Sequence, residues 1–357
     1  MLGPWLLQEL LGEGSMGRVW LAQHTKLGRK AAIKVLRTEH SGNSTVINRF
    51  FDEARAVNRI SHEHIVEISD FVEEKDPARV YCVMEYLDGK SLSQMMDEAP
   101  LPVQAIVHVL KQLCDALGAA HEVGIVHRDV KPDNIILVRR PGAPLFVKVL
   151  DFGVAKLGAD LRRQSVSRTV QGTLLGTPLF MAPEQIVGQE VDARADVYAV
   201  GCLLYWMLAG RLPFNSPHFG ELSMQVIKDA PPPLPSRTPG GERIPAGLID
   251  LAMRCLAKKP EERPHSMGAV LEALERPHQA RLLMRKRRSL GLVAALAAVL
   301  VGAAAWSFDR ETAPALPAAE VAAAVKPATT LSKKIEAKVQ RKAVPFDAEG
   351  TINPFAP

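Results

Sequence analysis

The apolar positions of this chain change period once, near Gly89. Before it, short β-branched and leucine-rich runs alternate with turn residues. Residues 18–22 and 30–36 read as strands joined by a hairpin near Gly28, and two more strands are predicted at 65–72 and 79–84 around a Lys75-Asp76-Pro77 turn. Between these pairs, residues 50–60 carry helical spacing, with Phe50, Ala54, Val57 and Ile60 on one face. After Gly89 the pattern predicts helices at 103–121, 197–208, 248–256 and 267–274, interrupted by Pro231-Pro232-Pro233 and Pro239-Gly240-Gly241. The expectation is an α+β fold of two lobes, a small strand-rich one followed by a larger helical one. No internal repeat is evident.

Past Arg288 the composition shifts to alanine and proline, so the globular part is expected to end before the 357-residue chain does. Leu290 to Phe308 is a run of 19 residues without a charge, close to bilayer-spanning length, and residues 289–308 are predicted as a transmembrane helix. Its seven alanines leave a buried amphipathic helix as the competing reading, but its eight Leu, Val and Phe residues favour insertion. Arg281, Arg285, Lys286, Arg287 and Arg288 precede it, which places residues 277–288 on the cytoplasmic side as a basic linker in contact with membrane lipid. Much of the net charge of +5 is this cluster, so a nucleic-acid partner is not expected. Ala294, Ala298 and Gly302 have the small-xxx-small spacing of a helix-packing face, an invitation to homodimerise. Residues 309–357 have no periodic apolar face and read as a disordered extracytoplasmic tail. The apolar stretch at 5–11 is too short for a signal peptide, and the eleven residues before Gly12 leave no room for a regulatory extension. Four scattered cysteines without C-x-x-C spacing fit buried thiols in a reducing compartment.

The candidate chemistry is concentrated in a few motifs. Gly12-Glu13-Gly14-Ser15-Met16-Gly17-Arg18-Val19 is a G-x-G-x-x-G-x-V run followed by a strand, whereas dinucleotide-binding folds follow such glycines with a helix. Lys34 sits in an apolar strand, where its ammonium needs a carboxylate partner unless it snorkels to water, and Glu53 on the next helix is the candidate. Most specific is His127-Arg128-Asp129-Val130-Lys131-Pro132-Asp133-Asn134, followed by Asp151-Phe152-Gly153. A polar surface loop would not require these acids and this amide in that order.

Together these motifs resemble bacterial eukaryotic-like (Hanks-type) transmembrane serine/threonine protein kinases over about residues 5–276, with a small lobe at 5–86 and a large one at 90–276. The resemblance implies an enzyme that moves the γ-phosphoryl group of ATP to Ser or Thr hydroxyls of protein substrates, with Mg²⁺ and Mn²⁺ as its substitute. It implies that Gly12, Gly14 and Gly17 cover the phosphates, Lys34 held by Glu53 reaches them, and Val19, Ala32 and Ile136 enclose adenine. Met84 would be the gatekeeper, with the backbone of Glu85 and Leu87 at the hinge. Asp129 would take or orient the hydroxyl proton, Lys131 would neutralise the moving group, and Asn134 and Asp151 would ligate the metal. Lys131-Pro132 looks like the Ser/Thr-directed form of the loop. Arg128 before Asp129 implies activation when a phosphorylated residue of the hydroxyl-rich segment pairs with it, and autophosphorylation is expected at Thr169 or Thr173 ahead of Ser165 and Ser167. Thr177 is assigned to structure. Glu184, Arg263 and Asp196 would anchor the segment and the catalytic loop. A silent kinase-like scaffold and a small-molecule kinase are the alternatives.

Overall fold

The computed structural model describes residues 1–14, 17–40, 43–75, 78–140, 142–152 and 178–275. The described residues all belong to one compact unit, Met1–Ala280. Its small lobe holds strands β1 (Trp5–Glu13), β2 (Gly17–His24) and β3 (Lys30–Leu36), helix α1 (Ser44–Arg59), and strands β4 (Ile68–Lys75) and β5 (Ala78–Glu85). The strands form one antiparallel sheet in the order β1-β2-β3-β5-β4.

Register gives that sheet two distinct faces. Val19 pairs with Lys34, Ala32 with Met84 and Lys34 with Cys82, and directly opposed residues of antiparallel strands share a face. Val19, Ala32, Lys34, Cys82 and Met84 therefore look one way. The alternate positions, Ala22, Ala31, Ile33, Tyr81 and Val83, close a core with Leu2 and Trp5 on the other side. α1 covers the first face, and Phe50, Ala54 and Val57 join Lys34, Cys82 and Met84 around a small cavity. The helix starts six residues before the predicted Phe50 because Asn43 caps it, its side chain accepting from the Thr45 and Val46 N–H groups. Ile60, predicted on the helix, is its C-cap and still buried.

Gly17 has a role apart from any ligand. A Cβ there would lie 2.2 Å from the Val35 carbonyl oxygen across the β2–β3 ladder, while at Gly12 it would meet nothing within 4 Å among the described residues. Gly17→Ala should thus force the strands apart and cost about 1–3 kcal/mol, the range for overpacking. Gly12→Ala should leave the thermal midpoint almost unchanged, and equal shifts in the two variants would contradict this.

The strand predicted at 65–72 starts only at Ile68. The preceding stretch is drawn onto the large lobe instead: Val66 N–H donates to the Val149 carbonyl, and Val149 N–H donates to that of His64. Those bonds replace the sheet ladder the apolar pattern suggested.

The large lobe contains β6 (Gly89–Ser91), α2 (Leu92–Glu98), α3 (Val103–Glu122), a 3₁₀ turn at Pro132–Asn134, β7 (Ile135–Arg140) and β8 (Ala143–Val149). Beyond the undescribed 153–177 come α4 (Pro183–Val187), α5 (Arg194–Ala209), α6 (Phe219–Lys228), α7 (Ala246–Cys255) and α8 (267–275). The four predicted helices correspond to α3, α5, α7 and α8. β1 and the three-stranded sheet β6-β7-β8 were not anticipated by the periodicity. α5 is buried nearly all round, as its unbroken apolar sequence requires, and Gly201 lets Cys255 of α7 approach. All four cysteines are buried free thiols. Among the described residues no helix is long and apolar enough to cross a membrane. The linker at 277–288, the span at 289–308 and the tail at 309–357 lie outside the described residues.

Candidate active site

The loop from His127 to Asn134 is held in a shape that its sequence alone would not adopt. Arg128 has φ 63° and Asp151 φ 44°, and they are the non-glycine residues with positive φ among those described. Such backbones cost roughly 1–3 kcal/mol each and persist where the surroundings over-determine them. Asp196 of α5 supplies much of that constraint. Its carboxylate, 1% exposed, accepts from the His127 N–H (2.8 Å), the Arg128 N–H (2.9 Å) and Nε2–H of His121 (2.8 Å). Three donors compensate a charge that burial would otherwise disfavour.

His127 is fully buried against Phe152. The Asp129 N–H donates to its Nδ1 at 3.2 Å, which puts the ring proton on Nε2, and that group donates to the Leu150 carbonyl at 3.0 Å. Burial pushes the ring's proton affinity down despite the nearby Asp196 and Asp129 carboxylates, so the imidazole is neutral. The unfolded chain gains a proton at this position below about pH 6.5, and the fold does not until lower pH. His64 and His108 are shifted the same way by burial. The contribution of these imidazoles should be level above about pH 6.5 and fall as pH drops below it, and chemical denaturation at about pH 7.5 and 5.5 checks this. Equal midpoints would show that the imidazoles are not held neutral.

Lys131 Nζ lies 3.1 Å from Asp129 Oδ2, so ammonium and acid share one end of the site. Asn134 donates Nδ2–H to the Asp129 carbonyl at 2.9 Å, which leaves its amide oxygen as a donor atom for a cation. Its own carbonyl accepts from the Leu150 N–H at 2.8 Å, and this ties the loop to the residue before Asp151. Asn134 and Asp151 together offer hard oxygen ligands of the kind Mg²⁺ takes beside phosphate and water. Lys34 Nζ pairs with Asp151 Oδ1 at 2.8 Å, joining the two lobes. Burial raises the Asp151 carboxyl, but the charges of Lys34 and Lys131 and the Lys34 hydrogen bond outweigh it and hold the group below the usual carboxylate range. Glu53 falls on α1, and its side chain lies outside the described residues.

Val19, Ala32 and Met84 share the sheet face that carries Lys34, and Ile136 lies on β7. A Cβ added at Gly12 would meet nothing within 4 Å among the described residues, and one at Gly14 would meet the Gly17 carbonyl oxygen at 3.9 Å. At Glu85, one of the positions expected to meet adenine through its backbone, the N–H is engaged by the Glu67 carbonyl at 3.0 Å. The Glu85 carboxylate pairs with buried Lys148 of β8, which also donates to the Ile65 carbonyl. This brace, like the His121 contact, was not foreseen from the sequence. Arg128 points its guanidinium toward the Val191 carbonyl at 3.4 Å. Ser165, Ser167, Thr169, Thr173 and Thr177 lie outside the described residues. Glu184 and Arg263 meet in a bidentate pair at 2.7 and 2.8 Å.

Comparison with known protein families matches residues 5–277 to the protein kinase domain. The chain belongs to the protein kinase family. Its kinase domain is similar to the serine/threonine-protein kinase Pkn1 of Myxococcus xanthus, 47% identical over 294 residues that cover 81% of this chain and 41% of that protein. The serine/threonine-protein kinase PknB of Mycobacterium tuberculosis is 37% identical over 275 residues, 76% of this chain and 42% of that one. Among solved structures, the kinase domain of PknI from M. tuberculosis superimposes with a TM-score of 0.57 at 27% identity, covering 77% of this chain and 96% of that chain. This chain spans 41%, 32% and 53% of the lengths of three M. xanthus relatives it matches.

Proposed function

We propose that this protein is a membrane-anchored kinase that moves the γ-phosphoryl group of ATP to Ser and Thr hydroxyls of protein substrates. The observation that carries the reading is Asp129 bonded to Lys131 and Asn134 on a loop clamped by Asp196, with the Lys34–Asp151 pair close enough for Lys131 to act on the Asp151 carboxylate. Asp129 receives or orients the proton of the attacking hydroxyl. Lys131, on the same carboxylate, steadies the charge on the group in transit, and Lys34 orients the nucleotide's phosphates. Mg²⁺, or Mn²⁺ in its place, held by Asn134 and Asp151, supplies charge neutralisation on the phosphate oxygens. The Ser/Thr preference is supported by Lys131-Pro132 and by relatives that are named serine/threonine kinases.

Activation follows from autophosphorylation at Thr169 or Thr173, with Arg128 as the phosphate's partner. The 289–308 span and the basic residues before it anchor the chain in the inner membrane and keep the kinase domain in the cytoplasm, with a second copy of the chain as a partner through Ala294, Ala298 and Gly302. Purified full-length chain in detergent, given γ-labelled ATP, Mg²⁺ and a mixed protein substrate, should label Ser and Thr and lose the reaction to EDTA. Label confined to Tyr, or no transfer at any metal concentration, would overturn the activity. Protease added to intact spheroplasts should remove only the tail, and a protected tail would overturn the topology.

A further inference from the structure

The peptide between Arg128 and Asp129 is gripped at both ends. Its N–H donates to His127 Nδ1, and its carbonyl, that of the strained Arg128, accepts from Nε2 of Gln185 at 3.0 Å. Gln185 sits on α4 directly after Glu184, is 8% exposed, and uses its other amide atom to accept the Ala182 N–H at 3.0 Å. Both partners are backbone groups of fixed polarity, so the amide can take only one orientation. One side chain thus caps α4 and sets the plane of the peptide that presents Asp129.

We propose that Gln185 is a positioning residue for phosphoryl transfer, coupling the seating of α4 to the aim of the Asp129 carboxylate. The inference rests on the kinase reading above. Without the Gln185 bond the half-buried Arg128 carbonyl loses that partner, and residue 128 can relax out of its positive φ and rotate Asp129 away from the hydroxyl. Nucleotide binding is served by Lys34, Asp151 and the glycine loop, which Gln185 does not touch.

Two variants separate the clamp from the cap. Gln185→Met keeps the volume and loses both bonds. Gln185→Glu keeps an acceptor for the Ala182 N–H but sets a carboxylate against the Arg128 carbonyl, until protonation supplies an O–H donor in place of the amide. The charged groups on the surrounding elements are Arg128 and Asp129 of the loop, Asp196 of α5, and Glu184 with Arg263 behind it. All are common to both proteins, so the ratio of variant to wild-type kcat isolates position 185.

Full-length chain in detergent is assayed with ATP, Mg²⁺ and a protein substrate between about pH 8 and 5.5, the interval in which a partly buried Glu takes up its proton. Both variants should lose kcat by about 10- to 100-fold near pH 8, the scale for a misplaced reacting group, with KM for ATP within about twofold of wild type. The Gln185→Glu ratio should then recover at least about threefold toward pH 5.5, while the Gln185→Met ratio stays flat. Variants within about twofold of wild-type kcat, or parallel pH ratios for Glu and Met, would overturn the assignment. An inactive wild type would instead overturn the kinase reading beneath it.

Discussion

Asp129→Asn should leave a folded chain that binds ATP with unchanged affinity and transfers almost none of its γ-phosphoryl group. The substitution is isosteric, and the amide oxygen can still face the Lys131 ammonium that lies 3.1 Å from Oδ2 in the native site. The backbone carbonyl that Asn134 Nδ2 holds at 2.9 Å is untouched, so the loop keeps its internal bond. What is lost is the basic atom. Removing a positioned general base lowers rates by about 10²–10⁴-fold, and a fall of about 10³ in kcat is expected with KM for ATP within a factor of about two. Single-turnover transfer to a protein substrate, beside fluorescent-nucleotide titration and thermal unfolding, makes the test. Retention of more than about a tenth of wild-type kcat would show that Asp129 is not the proton acceptor.

That site was readable because its parts lie close together in the chain. His127 to Asn134 are contiguous, and Asp151 follows two residues after β8, the second strand of the hairpin that the loop leads into. Lys34 was legible for a different reason: an ammonium in an apolar strand requires a partner. The partner that the described residues provide is Asp151, 117 residues away, which strand periodicity had no means of choosing. The Gln185 contact to Arg128 spans 57 residues and the Lys148 contact to Glu85 spans 63, and neither side chain is unusual for its surroundings in sequence.

The fold divides in the same way. α1, α3, α5 and α7 bury continuous faces, so their spacing reported them. β1 failed to register because its leucines do not alternate in and out: Leu6, Leu10 and Leu11 are exposed, and its pairing with β2 carries two irregularities. β6, β7 and β8 are three to seven residues long and lie within a helical lobe. In strands so short, apolar runs do not declare a period.

Breaking the Glu184–Arg263 pair should destabilise the large lobe severely, because nothing nearby can replace either partner. Arg263's side chain is fully buried and all five of its N–H donors are engaged. Two reach the Glu184 carboxylate, and the others reach the carbonyls of Ala257 (2.8 Å), Arg194 (3.0 Å) and Lys258 (2.9 Å). Its guanidinium also lies over the Tyr198 ring at 5.0 Å. Glu184→Leu strands a buried cation, and Arg263→Met strands a buried anion and three carbonyls. Each should destabilise by about 3–5 kcal/mol. Arg263→Lys rescues little, since an ammonium has three donors and no fork to match the carboxylate. The double variant Glu184→Leu/Arg263→Met distinguishes a damaged pair from a damaged core. With both charges gone the desolvation cost vanishes, and its loss should be well below the sum of the single losses. It should still exceed zero, because the three carbonyls remain without their donor at roughly 1–3 kcal/mol for each one that water cannot reach. Urea unfolding of wild type, both single variants and the double variant closes the cycle. Additive losses would mean that the two side chains act separately and that the anchor between α4 and the turn before α8 is not a pair.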